Sequence, residues 1–189
     1  MVKPTLNFTD IFDGLWKDLV RGSRDRKSEY RWLNFSTTEL SGRASIRTVV
    51  LREAIKNNRI LRIFSDFRAK KVEQIKINPF VTAHFHDRRK GIQLRMLGTA
   101  YLANKELTHS HWIKLSEQQR KFYKILKGPG ELYESDKENA CYLEENAHKF
   151  CVIETKITEI DWLSLNNKEH LRVKFQCSNS DIKIERITP

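Results

Sequence analysis

Ser45-Ile46-Arg47-Thr48-Val49-Val50-Leu51-Arg52, followed by Arg59-Ile60-Leu61-Arg62-Ile63-Phe64-Ser65, is the stretch that decides the fold. Both runs have strand length and are rich in β-branched residues, and Asn57-Asn58 between them is a turn signal. A short basic helix start, Arg68-Ala69-Lys70-Lys71-Val72-Glu73-Gln74-Ile75, comes next and breaks at Asn78-Pro79. Two more strands, Phe80 to His86 and Ile92 to Leu102, are separated by Asp87-Arg88-Arg89-Lys90-Gly91. Short strands at this spacing predict an all-β barrel or sandwich core.

Outward from this block, Phe8, Ile11, Phe12, Leu15, Trp16, Leu19 and Val20 recur at helical spacing, so an amphipathic helix over about 8–20 is expected, opened by Asn7 and Asp10. Arg31 to Thr37 reads as a first strand leading to a turn at Ser41-Gly42, which puts the barrel core at about 32–102. A single helix is expected over about 104–126, ended by Lys127-Gly128-Pro129-Gly130. Glu131 to Asn139 reads as a polar loop. Strands over about 149–188 complete one domain spanning 1–189, with no repeat or splitting linker.

The formal net charge is +11, from 35 Lys+Arg against 24 Asp+Glu. Such a balance favours anionic partners without choosing among nucleic acid, phosphorylated small molecules and acidic surfaces. Cys141, Cys151 and Cys177 form no C-x-x-C pair, which argues against a disulfide framework or zinc site and predicts reduced thiols in a cytoplasmic protein. Met1 to Asp10 lacks a signal-peptide pattern, and no run approaches the roughly 20 apolar residues of a membrane span, so no membrane partner is expected.

Three cations, Arg68, Lys70 and Lys71, fall at the start of the basic helix, where the macrodipole disfavours positive charge by about 0.3–1 kcal/mol each. Free backbone N–H groups there, with the Ser65 hydroxyl, fit a phosphate site; a solvated basic face is the alternative. Arg47 places a guanidinium among residues suited to burial, which calls for an anionic partner unless the strand lies at an edge. His84 and His86 share a strand face, but no third metal ligand is placed by the sequence, so no metal site is assigned. There is no G-x-S-x-G elbow and no glycine-rich phosphate loop; His148 near Cys151 is too weak a pairing to assign a catalytic residue.

The segments Gly42 to Arg52, Phe64-Ser65-Asp66, Lys70-Lys71, Ile75 to Pro79 and Ile92 to Ala100 together resemble the pyridoxamine 5'-phosphate oxidase family. The resemblance covers about Ser36 to Leu102 well and the rest more loosely. Trp112 to Tyr123 with Pro129-Gly130 is most similar to the FMN-binding group related to the true oxidases. It implies a mainly β (α+β) fold, an FMN-binding split β-barrel with flanking helices.

It also implies that Arg47 with Lys70 or Lys71 holds the FMN phosphate, that Phe64-Ser65 flanks it with the Ser65 hydroxyl bonded to it, that Thr48, Val49, Val50 and Leu51 line the flavin, and that Gln93 meets its polar edge. The family is dimeric, which implies a homodimer with FMN at the subunit interface; Trp162, Arg172 and Lys174 are candidates for contributions from the partner chain. True oxidases carry a lysine where this chain has Arg52, and a C-terminal Arg-Leu-His segment where this chain reads Glu169 to Phe175. Their Tyr/Arg/Ser substrate set is not matched near His111 to Gln119. Arg52, Arg172 and Lys174 remain as substrate-binding candidates. The expected function is an FMN-dependent oxidoreductase acting on a small molecule, with a B6 phosphate as one candidate. A flavin-binding protein without turnover is the alternative, and nucleic-acid binding is disfavoured because the charge is spread along the chain.

Overall fold

The computed structural model describes residues 7–134, 142, 148–165, 170–178 and 181–189. Cys141 and part of the Glu131 to Asn139 stretch lie outside the described residues. Helix α1 spans Phe8–Gly22 and begins at Asn7, whose side chain accepts from the Thr9 N–H at 3.1 Å. It buries Phe12, Leu15, Trp16 and Leu19, the stripe that the periodicity predicts. Strands β1 (Trp32–Thr38), β2 (Ala44–Ile55) and β3 (Ile60–Asp66) precede helix α2 (Lys70–Ile77), and β4 (Phe80–Asp87) and β5 (Ile92–Leu102) follow it. Helices α3 (Lys105–Trp112) and α4 (Glu117–Lys121) then lead to β6 (Phe150–Ser164), β7 (Leu171–Cys177) and β8 (Ile182–Ile187).

All strand pairs are antiparallel, in the order β3-β2-β1-β4-β5-β6-β7-β8. A further pairing of β3 with the first half of β6 closes six strands into a barrel, while β7 and β8 extend from the second half of β6. Closure removes both edges of the six-stranded part, and the inward residues fill the interior. Leu51, Leu94, Met96, Ile153, Ile157 and Ile160 are all fully buried there. This split barrel is the fold the sequence resemblance implies.

Two bulges shape the barrel. Register slips between Leu51↔Ile63 and Glu53↔Arg62, leaving Arg52 as the extra residue of β2. A second slip, between Leu97↔Glu159 and Gly98↔Ile157, leaves Thr158 as the extra residue of β6. Bulges bend a strand and re-aim side chains.

The single helix expected over 104–126 is two helices. Ser116 accepts from the Gln119 N–H while the Gln119 side chain accepts from the Ser116 N–H, so a capping box starts α4 four residues after α3 ends. Periodicity spans such a break because Trp112 at the end of α3, Leu115 in the connection and Tyr123 after α4 all pack with Phe150 and Val152 in a second cluster outside the barrel, although α4 itself buries no residue.

Candidate flavin site

Arg47 faces the barrel interior near its mouth, opposite Phe35 of β1, and is half-buried rather than lying on a water-facing edge. Its Nη1 donates to the Phe35 carbonyl at 3.2 Å and to Thr37 Oγ1 at 2.5 Å. Its Nη2 donates to Ser45 Oγ at 2.6 Å and to Gln74 Oε1 at 3.2 Å. Every one of these acceptors is neutral. Burial lowers the guanidinium's pKa and Glu39 works in the other direction, yet among the described residues no carboxylate forms an ion pair with Arg47. Leaving a half-buried cation without a counterion costs stability unless an anion is to be bound there.

Lys71, in the first turn of α2, brings a second such charge. Its Nζ donates to Ser65 Oγ at 3.1 Å. Burial depresses its pKa, and the nearby positive charge of Arg47 depresses it further, against smaller opposing effects of Cys151 and Asp66. The N-cap of α2 is Ala69, which offers no side chain to its amino end. Cations, a hydroxyl and uncapped backbone N–H groups therefore converge at one helix terminus, the arrangement that receives a phosphate. The solvated-face alternative does not describe Lys71, which is half-buried, but it does describe Lys70, which is exposed.

Not every predicted residue joins them. Helix α2 begins at Lys70 rather than near Asp66 to Arg68, because Asp66 Oδ1 accepts the Arg68 N–H at 2.8 Å and forms a turn ahead of the helix. Arg68 is thereby bound to Asp66 and to the carbonyls of Ile125 and Leu126. Lys70 is exposed. Leu51 has no accessible surface, so only its backbone is available to a ligand, and its carbonyl accepts from Arg31. Thr48 donates to Asn34 Oδ1 on the outer face, while Val49 packs on the core and Val50 is half-buried. Gln93 pairs with His86 on β4, three strands from β2 in sheet order.

A second region flanks β2. The bulged Arg52 stands over the Phe64 ring at 5.1 Å, and its buried Nε has no partner among the described residues. Phe64 also meets His111 edge-on at 5.2 Å and Phe150 at 5.0 Å. Arg62 beside them is spent on Glu53 and Glu154. His148 stacks on Trp112 at 3.8 Å instead of serving Cys151, whose thiol burial pushes up to about 12 and keeps neutral. Arg172 and Lys174 lie on the sheet extension, where Arg172 holds Asp161 through both oxygens and Lys174 pairs with Glu159. Among the described residues no group of three potential metal ligands is found.

Residues 13–104 match the family model described as pyridoxamine 5'-phosphate oxidase, FMN-binding domain. This segment is similar to the FMN-binding domain of that family. Arg47, Ser65, Lys71 and the whole of α2 lie inside the matched FMN-binding domain, and FMN is its cofactor. In fold the chain is similar to a pyridoxamine 5'-phosphate oxidase-related, FMN-binding protein from Nostoc punctiforme PCC 73102, with a TM-score of 0.79 and 21% identity over 94% of this chain and 97% of that one. It is similar also to PhzG from Burkholderia lata 383, solved with tetrahydrophenazine-1-carboxylic acid, with a TM-score of 0.76 and 14% identity over 99% and 95% of the two chains. A Clostridium acetobutylicum protein related to general stress protein 26 has a TM-score of 0.59 and 12% identity over 90% and 96%. No curated protein matches the chain.

Thr37, Ser45 and Gln74, none of them singled out by any sequence motif, are the side chains that hold Arg47 in place. A signal for Gln74 was present: it follows Lys71 by three residues, which puts both on one helix face once the helix start is placed correctly.

Proposed function

We propose that the protein is an FMN-dependent oxidoreductase that works as a homodimer on a small anionic substrate. The observation that carries this reading is the convergence of Arg47, Lys71 and Ser65 with, among the described residues, no carboxylate in contact with either cation. A phosphate dianion supplies the missing counterion, so these residues hold the cofactor by its phosphate. Bound FMN supplies a two-electron acceptor; the protein's part is to hold it, exclude water and orient the substrate.

Arg52 supports an anionic substrate. It is a half-buried guanidinium with no carboxylate partner among the described residues, held against an aromatic face that suits a planar ring. A B6 phosphate remains one member of that class. The stretch from His111 to Gln119 does not favour it, since it contains no tyrosine or arginine and its serine, Ser116, is engaged as a helix cap.

The homodimer reading rests on the outer face of the sheet. Ile46, Ser36, Thr82 and Leu97 sit in one row across β2, β1, β4 and β5, and Ile46, Phe80 and Leu97 are exposed at 67%, 71% and 38%. An apolar sheet face of this kind is suited to a second copy of itself. A flavin-binding role without turnover is favoured by one observation: Arg172 and Lys174 are already engaged by carboxylates of their own chain.

The test is anaerobic reduction. The FMN-loaded protein is mixed with reduced nicotinamides and with planar amines bearing a phosphate or carboxylate, and bleaching of the flavin band is followed, then its return on adding oxygen. Bleaching by one class identifies an oxidoreductase; none across the panel leaves the binding role.

A further inference from the structure

We propose that Gln74 is an unassigned residue of the phosphate site, a neutral latch that fixes Arg47 while leaving its charge for the ligand. The inference rests on the FMN reading above and deepens it.

Gln74 Oε1 accepts from Arg47 Nη2 at 3.2 Å and from Thr37 Oγ1 at 2.5 Å. Two converging donors identify that atom as the amide oxygen. The amide Nε2 is thereby turned away from both donors, and it has no acceptor among the described residues. Thr37 ties the pair together, since its oxygen also accepts from Arg47 Nη1. One helix face of α2 therefore presents Lys71 and Gln74, three residues apart, to the same guanidinium.

The choice of an amide has an electrostatic consequence. A carboxylate in this place would fix Arg47 equally well and would also neutralise it. The four hydrogen bonds from its terminal nitrogens hold Arg47 in one orientation, yet all go to neutral oxygens, so the positive field at the cradle is undiminished. Preorganised and uncompensated charge is what a dianion binds best, because neither reorientation nor displacement of an internal counterion is needed.

Gln74→Glu separates this role from a packing role, because it changes the charge and almost nothing of the shape. FMN and riboflavin, which lacks the phosphate, are titrated into the apo protein by quenching of flavin fluorescence, and apo melting temperatures are recorded. For Gln74→Glu the expected result is FMN affinity down by at least tenfold, riboflavin affinity within twofold of the parent, and an apo melting temperature equal or higher. Gln74→Ala should lose less FMN affinity than Gln74→Glu. As a second measurement, inorganic phosphate should raise the melting temperature of the parent apo protein and not that of Gln74→Glu.

Equal FMN affinity in Gln74→Glu, or parallel losses of FMN and riboflavin, would overturn the proposal while leaving the FMN reading intact. A parent protein that binds neither flavin overturns the FMN reading, and the latch with it.

Discussion

Lys71 Nζ lies 3.1 Å from Ser65 Oγ, a neutral partner, while burial and the nearby Arg47 both press the lysine toward its uncharged form. The pair links the first turn of α2 to the end of β3 at the proposed phosphate site. A desolvated lysine with a hydroxyl as its partner is a cost to the apo protein and a gain to the complex.

A pH dependence follows with a definite sign. The folded pKa of Lys71 is below the ordinary 10.5, so between the two values the unfolded chain binds more protons than the folded one. The lysine's penalty on apo stability is therefore full below its folded pKa and is relieved as pH rises through it. FMN affinity should move oppositely, falling as Lys71 deprotonates at a pH below 10.5. Titrations of Lys71→Arg, which stays charged, should show no such alkaline decline; the same decline in both proteins would assign it to another group.

Asp161 is the hub of the sheet extension, receiving Arg95 and Arg172 with 4% of its side chain accessible. Burial opposes its charge, but hydrogen bonds from Arg172 and Arg95 prevail and hold its carboxyl below the ordinary 3.8. Its contribution to stability is thus present above pH 3.8 and lost as pH falls through the folded pKa. Because both arginines are partly exposed, Asp161→Asn should cost about 2–3 kcal/mol at neutral pH, less than a fully buried pair. Denaturant unfolding at pH 7 and pH 3 checks this: the two proteins should differ at the first and converge toward the second.

Gly98 admits no side chain. A Cβ there would stand 2.2 Å from the Lys156 carbonyl oxygen, at the bulge that lets β5 turn against β6. Gly98→Ala should destabilise by about 3 kcal/mol or more and lower the melting temperature by about 6–12 °C. An unchanged melting temperature would mean that the bulge relaxes at no cost.

Leu97, next to that bulge, is exposed on the outer sheet face beside Thr82, at the β5 end of the row that begins with Ile46 on β2. Leu97→Asp should convert a dimer to a monomer in sedimentation velocity and weaken flavin retention with it. A parent protein that sediments as a monomer would rule out the proposed dimer.

The strands were legible in the sequence because their signals are local. Ile46 to Arg52, Arg59 to Ser65 and Ile92 to Leu102 each carry β-branched residues between turn residues, and β2, β3 and β5 fall on them within a few residues. Arg47 was legible for another reason, as a cation among residues that want burial. Barrel closure was not read from spacing, since pairing of β3 with β6 joins Ser65 to Cys151 across 86 positions, and only the family resemblance implied it. The split of α3 from α4 was hidden because Ser116 and Gln119 are unremarkable until their reciprocal hydrogen bonds are seen. Gln74 escaped for a related reason: an amide in a polar helix has no meaning until Thr37 and Arg47 are brought to it.

The visible spectrum of the purified protein after addition of FMN and desalting tests the proposed phosphate site most directly. A retained flavin band is expected, Arg47→Ala and Lys71→Ala should each weaken FMN affinity by about 10- to 100-fold, the scale of a charge-assisted hydrogen bond, and the double variant should lose the band. A parent protein that retains no flavin, or a double variant that retains as much as the parent, would contradict it.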